Sequence, residues 1–160
     1  MTAADLRFAD PITQRIVGFI REIGLAVERG DVADSLLPGI AVRRSVLVID
    51  EARLAYPGDL LHEAGHLAVA DPARRAMLEE VGDDPTEEMA ALPWSYAAAR
   101  HLGLDPSVVF HAHGYRRGSA NLIEAFDHGR GPGLPLLQLW GMTLGPKGKP
   151  PFPHMLRWLR

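Results

Sequence analysis

The chain has 160 residues, of which 47% are hydrophobic and 23% charged; this is the composition of one folded globular domain and argues against a disordered or low-complexity segment. Its formal net charge of −3 and pI near 6.1 give no electrostatic reason to expect nucleic acid as a partner. Without cysteine it has neither disulfides nor thiolate metal sites; with no leader-like stretch in Met1 to Pro11 and no apolar run near the ~20 residues that span a bilayer, the expectation is a cytoplasmic protein with no membrane partner.

Asp10 and Pro11 suit the cap and first position of a helix, and Ile12, Ile16, Phe19, Ile20, Ile23 and Val27 recur at helical spacing, which predicts a packing helix to about Gly30. From Ile40 to Ile49 the chain is rich in Val and Ile, interrupted by Arg43, Arg44 and Ser45, a pattern that predicts two strands in a hairpin. Arg53 to Tyr56 reads as a further short strand before the turn at Pro57 and Gly58.

Residues 62 to 66 are His-Glu-Ala-Gly-His, and His62, Glu63 and His66 are the only polar side chains between Leu60 and Ala70. Asp59 is the expected N-cap of this helix, and Pro72 forces Asp71 out of helical conformation and ends it. At ~100° per residue the two histidines share one stripe, away from the stripe of Leu60, Ala64, Leu67 and Ala68. So apolar a helix is normally buried, and buried imidazoles and carboxylates cost several kcal/mol unless a partner satisfies them, on the order of what unpaired polar groups cost. A divalent metal is such a partner. His62 and His66 each direct a ring nitrogen at one ion, while Glu63, rotated by ~100°, reaches water held there and serves as general base and acid.

A catalytic zinc ordinarily takes a third protein ligand and keeps one position open. After a loop with Gly82, Asp83, Asp84 and Pro85, a second helix is expected over residues 85 to 99. With Asp84 as cap, Glu87 falls at the third helical position, where a carboxylate closes a capping box. Glu88 has no such duty. Ala91, Ser95 and Ala98 follow it at steps of three and four, a small-residue face able to approach the metal helix closely. Glu88 is therefore the favoured third ligand, with Glu87 as the competitor.

The segment from Asp59 to Ala99, with HEAGH followed by Glu88-x-x-Ala91-x-x-Trp94-Ser95, resembles the gluzincin metallopeptidases, and among them the small bacterial ImmA/IrrE-like proteins. The resemblance covers about a quarter of the chain. It implies zinc on His62, His66 and Glu88, Glu63 as the catalytic carboxylate, and a zincin-like α+β fold whose small antiparallel or mixed sheet precedes the HExxH helix and packs with several helices. Two departures stand out: Pro93 lies inside the second helix where the family usually carries a polar residue, and no helix-turn-helix segment is evident. The chain is also similar to bacterial proteins of unassigned function that carry Pro-Gly-Asp-Leu-Leu-His-Glu-Ala-Gly-His. In the peptidases it resembles, a strand edge near the site pairs with extended substrate; Val46 to Asp50 reads equally as that edge or as an interior strand.

Beyond Gly103, Asp105-Pro106 opens a turn, and Val108 to Phe110 lead into His111, Ala112, His113, Gly114 and Tyr115. His113 and Tyr115 are the candidates to donate to the oxyanion formed when water adds to a carbonyl; the competing reading makes them loop residues beside Arg116 and Arg117. His111 and His113, two apart, would face opposite ways if extended, so both cannot serve one centre. Ser119 is the expected cap of a helix from Ala120 to His128, stopped by Gly129. Leu134 to Trp140 is an apolar packing block, and a Pro-rich tail over residues 145 to 160 is expected to wrap the domain through Phe152, Met155 and Trp158.

These readings converge on a single 1–160 domain that is a zinc-dependent hydrolase, a metallopeptidase acting on a peptide or protein substrate. The alternative is a metal-stabilised binding or regulatory protein without turnover. Spacing alone does not choose zinc over other divalent ions, and it leaves the oligomeric state open.

Overall fold

The computed structural model describes residues 6–79, 84–115 and 118–160; Gly82, Asp83, Arg116 and Arg117 lie outside them. Helix α1 spans Pro11–Glu22, capped by the Asp10 carboxylate, which accepts from the Thr13 amide at 2.8 Å. It buries Ile16, Val17, Phe19 and Ile20, and it ends well before Gly30. Gly24, at φ 101°, turns the chain, with its amide on the Arg21 carbonyl. Strand β1, Ala26–Arg29, follows. Val27 fits the helical spacing of α1 but also alternates with Leu25, and pairing with a neighbouring strand decides for the two-residue period.

Strands β2, Ile40–Arg43, and β3, Val46–Ile49, form the expected antiparallel hairpin, with Arg43 opposite Val46. Its two turn residues, Arg44 and Ser45, have φ of 51° and 64°, the left-handed pair that matches strand twist in a two-residue hairpin. Neither is glycine. The amides of Arg44 and Ser45 donate to the carbonyls of Glu79 and Leu78, which hold the tip in place. β1 runs parallel to β3 on its other side, giving the order β1-β3-β2. β3 is thus the interior strand of a mixed sheet, and Val46 to Ile49 is no edge. Residues 53 to 56 form no strand; the amides of Arg53 and Leu54 instead fold back onto the Asp50 carbonyl.

Helix α2 spans Asp59–Val69, and every one of its residues except Glu63 is buried. Its N-cap is Gly58, not Asp59. A side chain at Gly58 has no room: its Cβ would stand 1.8 Å from the Val108 carbonyl oxygen. The helix stops as expected before Asp71-Pro72, and Asp71 caps the short α3, Pro72–Arg75, through the Ala73 amide.

Helix α4, Pro85–His101, starts under the Asp84 cap and is the main packing partner of α2. Small residues make that contact close. A Cβ on Gly65 would meet Trp94 at 3.1 Å and Ala91 at 3.3 Å, and Ala91, Ser95 and Ala98 are fully buried. Pro93 lacks the amide that would bond the Met89 carbonyl, and Gly133, at φ 79°, closes on that carbonyl so tightly that a Cβ would lie 1.9 Å away.

A 3-10 turn over Pro106–Val108 leads to α5, Ser119–Asp127, and α6, Leu134–Leu139. Gly118 caps α5; Ser119 donates to the His111 carbonyl instead. The tail packs as expected. Phe152 stacks near Tyr96, Met155 is buried, and Trp158 meets Phe19 and Trp94 edge-on. The molecule is therefore mixed α and β, with six helices and one three-stranded sheet among the described residues. No described helix is long and apolar enough to cross a membrane.

Candidate metal centre

On α2 the histidine pair behaves as helical geometry requires. The His62 and His66 rings lie edge to face with centroids 4.8 Å apart, and their Nε2 atoms approach to 3.2 Å. Glu88, from the first turn of α4, reaches both rings, with Oε1 3.3 Å from His62 Nε2 and Oε2 2.6 Å from His66 Nε2. This is the only trio of histidine and acidic side chains among the described residues that is arranged to hold an ion.

The donor set suits a divalent metal. Around a tetrahedral zinc with ligand bonds of about 2.0–2.1 Å, neighbouring donors stand about 3.3 Å apart, close to the 3.2 Å between the two Nε2 atoms and the 3.3 Å from His62 Nε2 to Glu88 Oε1. The contact to His66 is made by the other carboxylate oxygen, Oε2, at a hydrogen-bond distance of 2.6 Å. The Nδ1 atoms of both rings are buried without a hydrogen-bond partner, so the polar capacity these rings can use lies at the converging Nε2 atoms. The burial is uneven: the His66 side chain is 5% exposed and that of Glu88 53%, so the carboxylate is the part of the trio open to solvent.

The electrostatics follow. The hydrogen bonds to His62 and His66 hold the Glu88 carboxyl well below its ordinary range, against the opposing effect of burial. Burial works to lower the pKa of His66, but the Glu88 hydrogen bond and the charges of Glu63, Glu88 and Glu87 outweigh it and raise the net value. Glu63 is raised by burial, partly offset by the neighbouring histidines and reinforced by the charges of Glu88 and Asp59. A carboxyl so raised is a better proton acceptor than an ordinary glutamate.

Glu87 is occupied elsewhere. It is buried and pairs with Arg74 of α3 at 2.8 Å. Tyr115 stands beside the centre, its ring edge-on to His62 at 5.8 Å. Burial pushes its phenol upward and the charges of Asp59, Glu88 and Glu63 push it further, so it remains a hydroxyl donor at neutral pH. His113 is exposed and lies against Tyr56 at 5.9 Å, apart from the trio.

Sequence reasoning missed Asp59 and His111. Asp59, freed from capping by Gly58, is buried and accepts from His111 Nε2 at 2.9 Å. Residues 111 to 114 form a turn and not an extended strand, so alternation did not apply to His111 and His113. The available signal was Gly58, which caps a helix unaided and releases the acid after it. No protein-family model, curated protein or solved structure matches the chain, and the centre is read from its own chemistry.

Proposed function

We propose that the protein is a zinc-dependent hydrolase of the zincin type, a metallopeptidase that cleaves peptide bonds, with the ion on His62, His66 and Glu88. The convergence of two imidazole Nε2 atoms and one carboxylate from a second helix carries this reading. When bound, the ion supplies Lewis acidity that polarises a substrate carbonyl and lowers the pKa of water. Glu63 accepts the proton of the attacking water and returns it to the leaving amine. Its raised proton affinity and its place as the one residue of α2 that is only partly buried both support that role. Tyr115 donates its hydroxyl proton toward the developing oxyanion; the exposure of His113 argues for Tyr115 over it.

The burial of His62 and His66 also favours a second reading, a metal-stabilised binding or regulatory protein without turnover, since structural metal sites are closed. One experiment separates them. Protein purified without an affinity tag is assayed for metal by elemental analysis and for cleavage of a broad peptide library, beside Glu63→Gln. Hydrolysis predicts about one equivalent of zinc in both proteins and a loss of rate on the order of 100- to 10,000-fold in the variant, as for removal of a general base. Zinc in both proteins with no metal-dependent cleavage establishes the binding reading. Absence of bound metal after zinc loading refutes both metal readings.

A further inference from the structure

A second cluster borders the centre. Asp59 is the first residue of α2, three before His62, and its Oδ1 accepts from His111 Nε2 at 2.9 Å. The His111 ring stacks on Tyr56 with centroids 4.0 Å apart and planes at 13°. Gly114 also lies against this ring, close enough that a Cβ would meet Cε1 at 3.3 Å. The His111 carbonyl in turn accepts from the Gly114 amide at 3.1 Å and the Ser119 hydroxyl at 2.8 Å. Side chain and backbone of this one residue are therefore both tied down.

The next residue after this turn is Tyr115, at φ 56°. Left-handed backbone is uncommon for a residue with a bulky side chain and persists where the surroundings impose it. The surroundings here are the turn behind it, Phe110 at 5.1 Å and the His62 ring at 5.8 Å. We infer that Asp59 and His111 are positioning residues whose hydrogen bond locks the 111–114 turn to the start of α2 and so delivers the Tyr115 ring to His62. The histidine-bearing helix and the tyrosine then move as one body, because Asp59 and His62 stand one helical turn apart. The catalytic consequence rests on the hydrolase reading; the positioning itself does not.

The test uses the full chain labelled with 3-fluorotyrosine. Its three tyrosines give three fluorine resonances, and the Tyr115 line is the one missing from Tyr115→Phe. His111→Phe keeps a ring against Tyr56 and removes the donor to Asp59; it should shift or broaden the Tyr115 line while leaving Tyr96 in place. His111→Gln, which restores a donor of similar reach, should return the Tyr115 line toward its original position. Zinc content should be unchanged in both. On a peptide cleaved by the unaltered protein, His111→Phe should lose about 10- to 100-fold in kcat with little change in KM, the penalty for a misplaced group, and His111→Gln should recover most of it. An unmoved Tyr115 line in folded His111→Phe overturns the inference. A moved line in a protein that cleaves no peptide sustains the positioning and refutes only the hydrolase reading.

Discussion

Glu87 and Glu88 are adjacent carboxylates with different partners, and the reason is the 100° between successive helical positions. Glu88 faces α2 and meets both histidines, while Glu87 faces α3 and meets Arg74. Exchanging either for glutamine should separate metal binding from stability. Glu88→Gln should weaken zinc binding by more than about 100-fold, beyond what loss of a supporting contact costs, and change the melting temperature of the metal-free protein far less. Glu87→Gln should keep zinc affinity within a few-fold and cost about 1–2 kcal/mol in urea unfolding, the scale of a hydrogen bond to a charged partner. If Glu87→Gln is the variant that loses zinc, the ligand assignment is wrong. The geometry of this pair was legible in the sequence, since helix phase and the Asp84-Pro85 start determine which way each points. Arg74 was not: it comes from a separate short helix, and nothing local to Glu87 announces it.

Among the elements, two of the four expected helix caps were readable, while Asp59 and Ser119 lie one residue inside helices capped by Gly58 and Gly118, and some of the helix ends were not readable. Asp10-Pro11 and Asp84-Pro85 both open helices as expected, because capping is settled by the side chain and the next three residues. The Asp10 cap carries a pH signature. Hydrogen bonds from the Thr13 amide and hydroxyl hold its carboxyl below the ordinary 3.8, so the cap contributes fully above pH 3.8 and loses its contribution as pH falls through the lower folded value. Asp10→Ala should therefore cost about 1 kcal/mol at neutral pH, the usual worth of an N-cap, and the gap should narrow as pH falls below 3.8. Urea titrations at pH 7 and pH 3 measure it; an equal gap at both would show that the charged cap is not the cause. At the other end of α1, Gly24 and the pairing of Ala26–Arg29 with β3 override a helical pattern that continued through Val27. Strand pairing is a long-range event, and a hydrophobic period read over one segment contains no information about it.

At the scale of the whole molecule, α2 is enclosed by its neighbours and its last turn is sealed by Arg75 and the tail. The Arg75 guanidinium donates to the carbonyls of Leu67, Ala68 and Ala70 and to that of Arg160, while the Arg160 amide donates to Ala68. These are carbonyls that a helix end leaves without partners. Arg75→Met keeps much of the aliphatic stem and removes the donors, so it should destabilise the fold by about 2–4 kcal/mol, as unsatisfied buried acceptors do, and should speed hydrogen exchange at the Arg160 amide. A stability within 0.5 kcal/mol of the unaltered protein, roughly the effect of a neutral surface change, would show that the seal is dispensable.

By itself the sequence determined the helix that bears His62, Glu63 and His66, the start of the helix that bears Glu88, the hairpin, and the aromatic anchors of the tail. Each follows from interactions among residues only a few positions apart: capping, helical phase, turn chemistry and hydrophobic patterning. Tertiary structure alone decided that β3 lies inside the sheet, that Asp59 pairs with His111 instead of capping α2, and that Arg74 is the partner Glu87 takes. Those outcomes join residues far apart in the chain, and only the packed core, which brings their elements together and excludes water from between them, sets which polar group finds which partner.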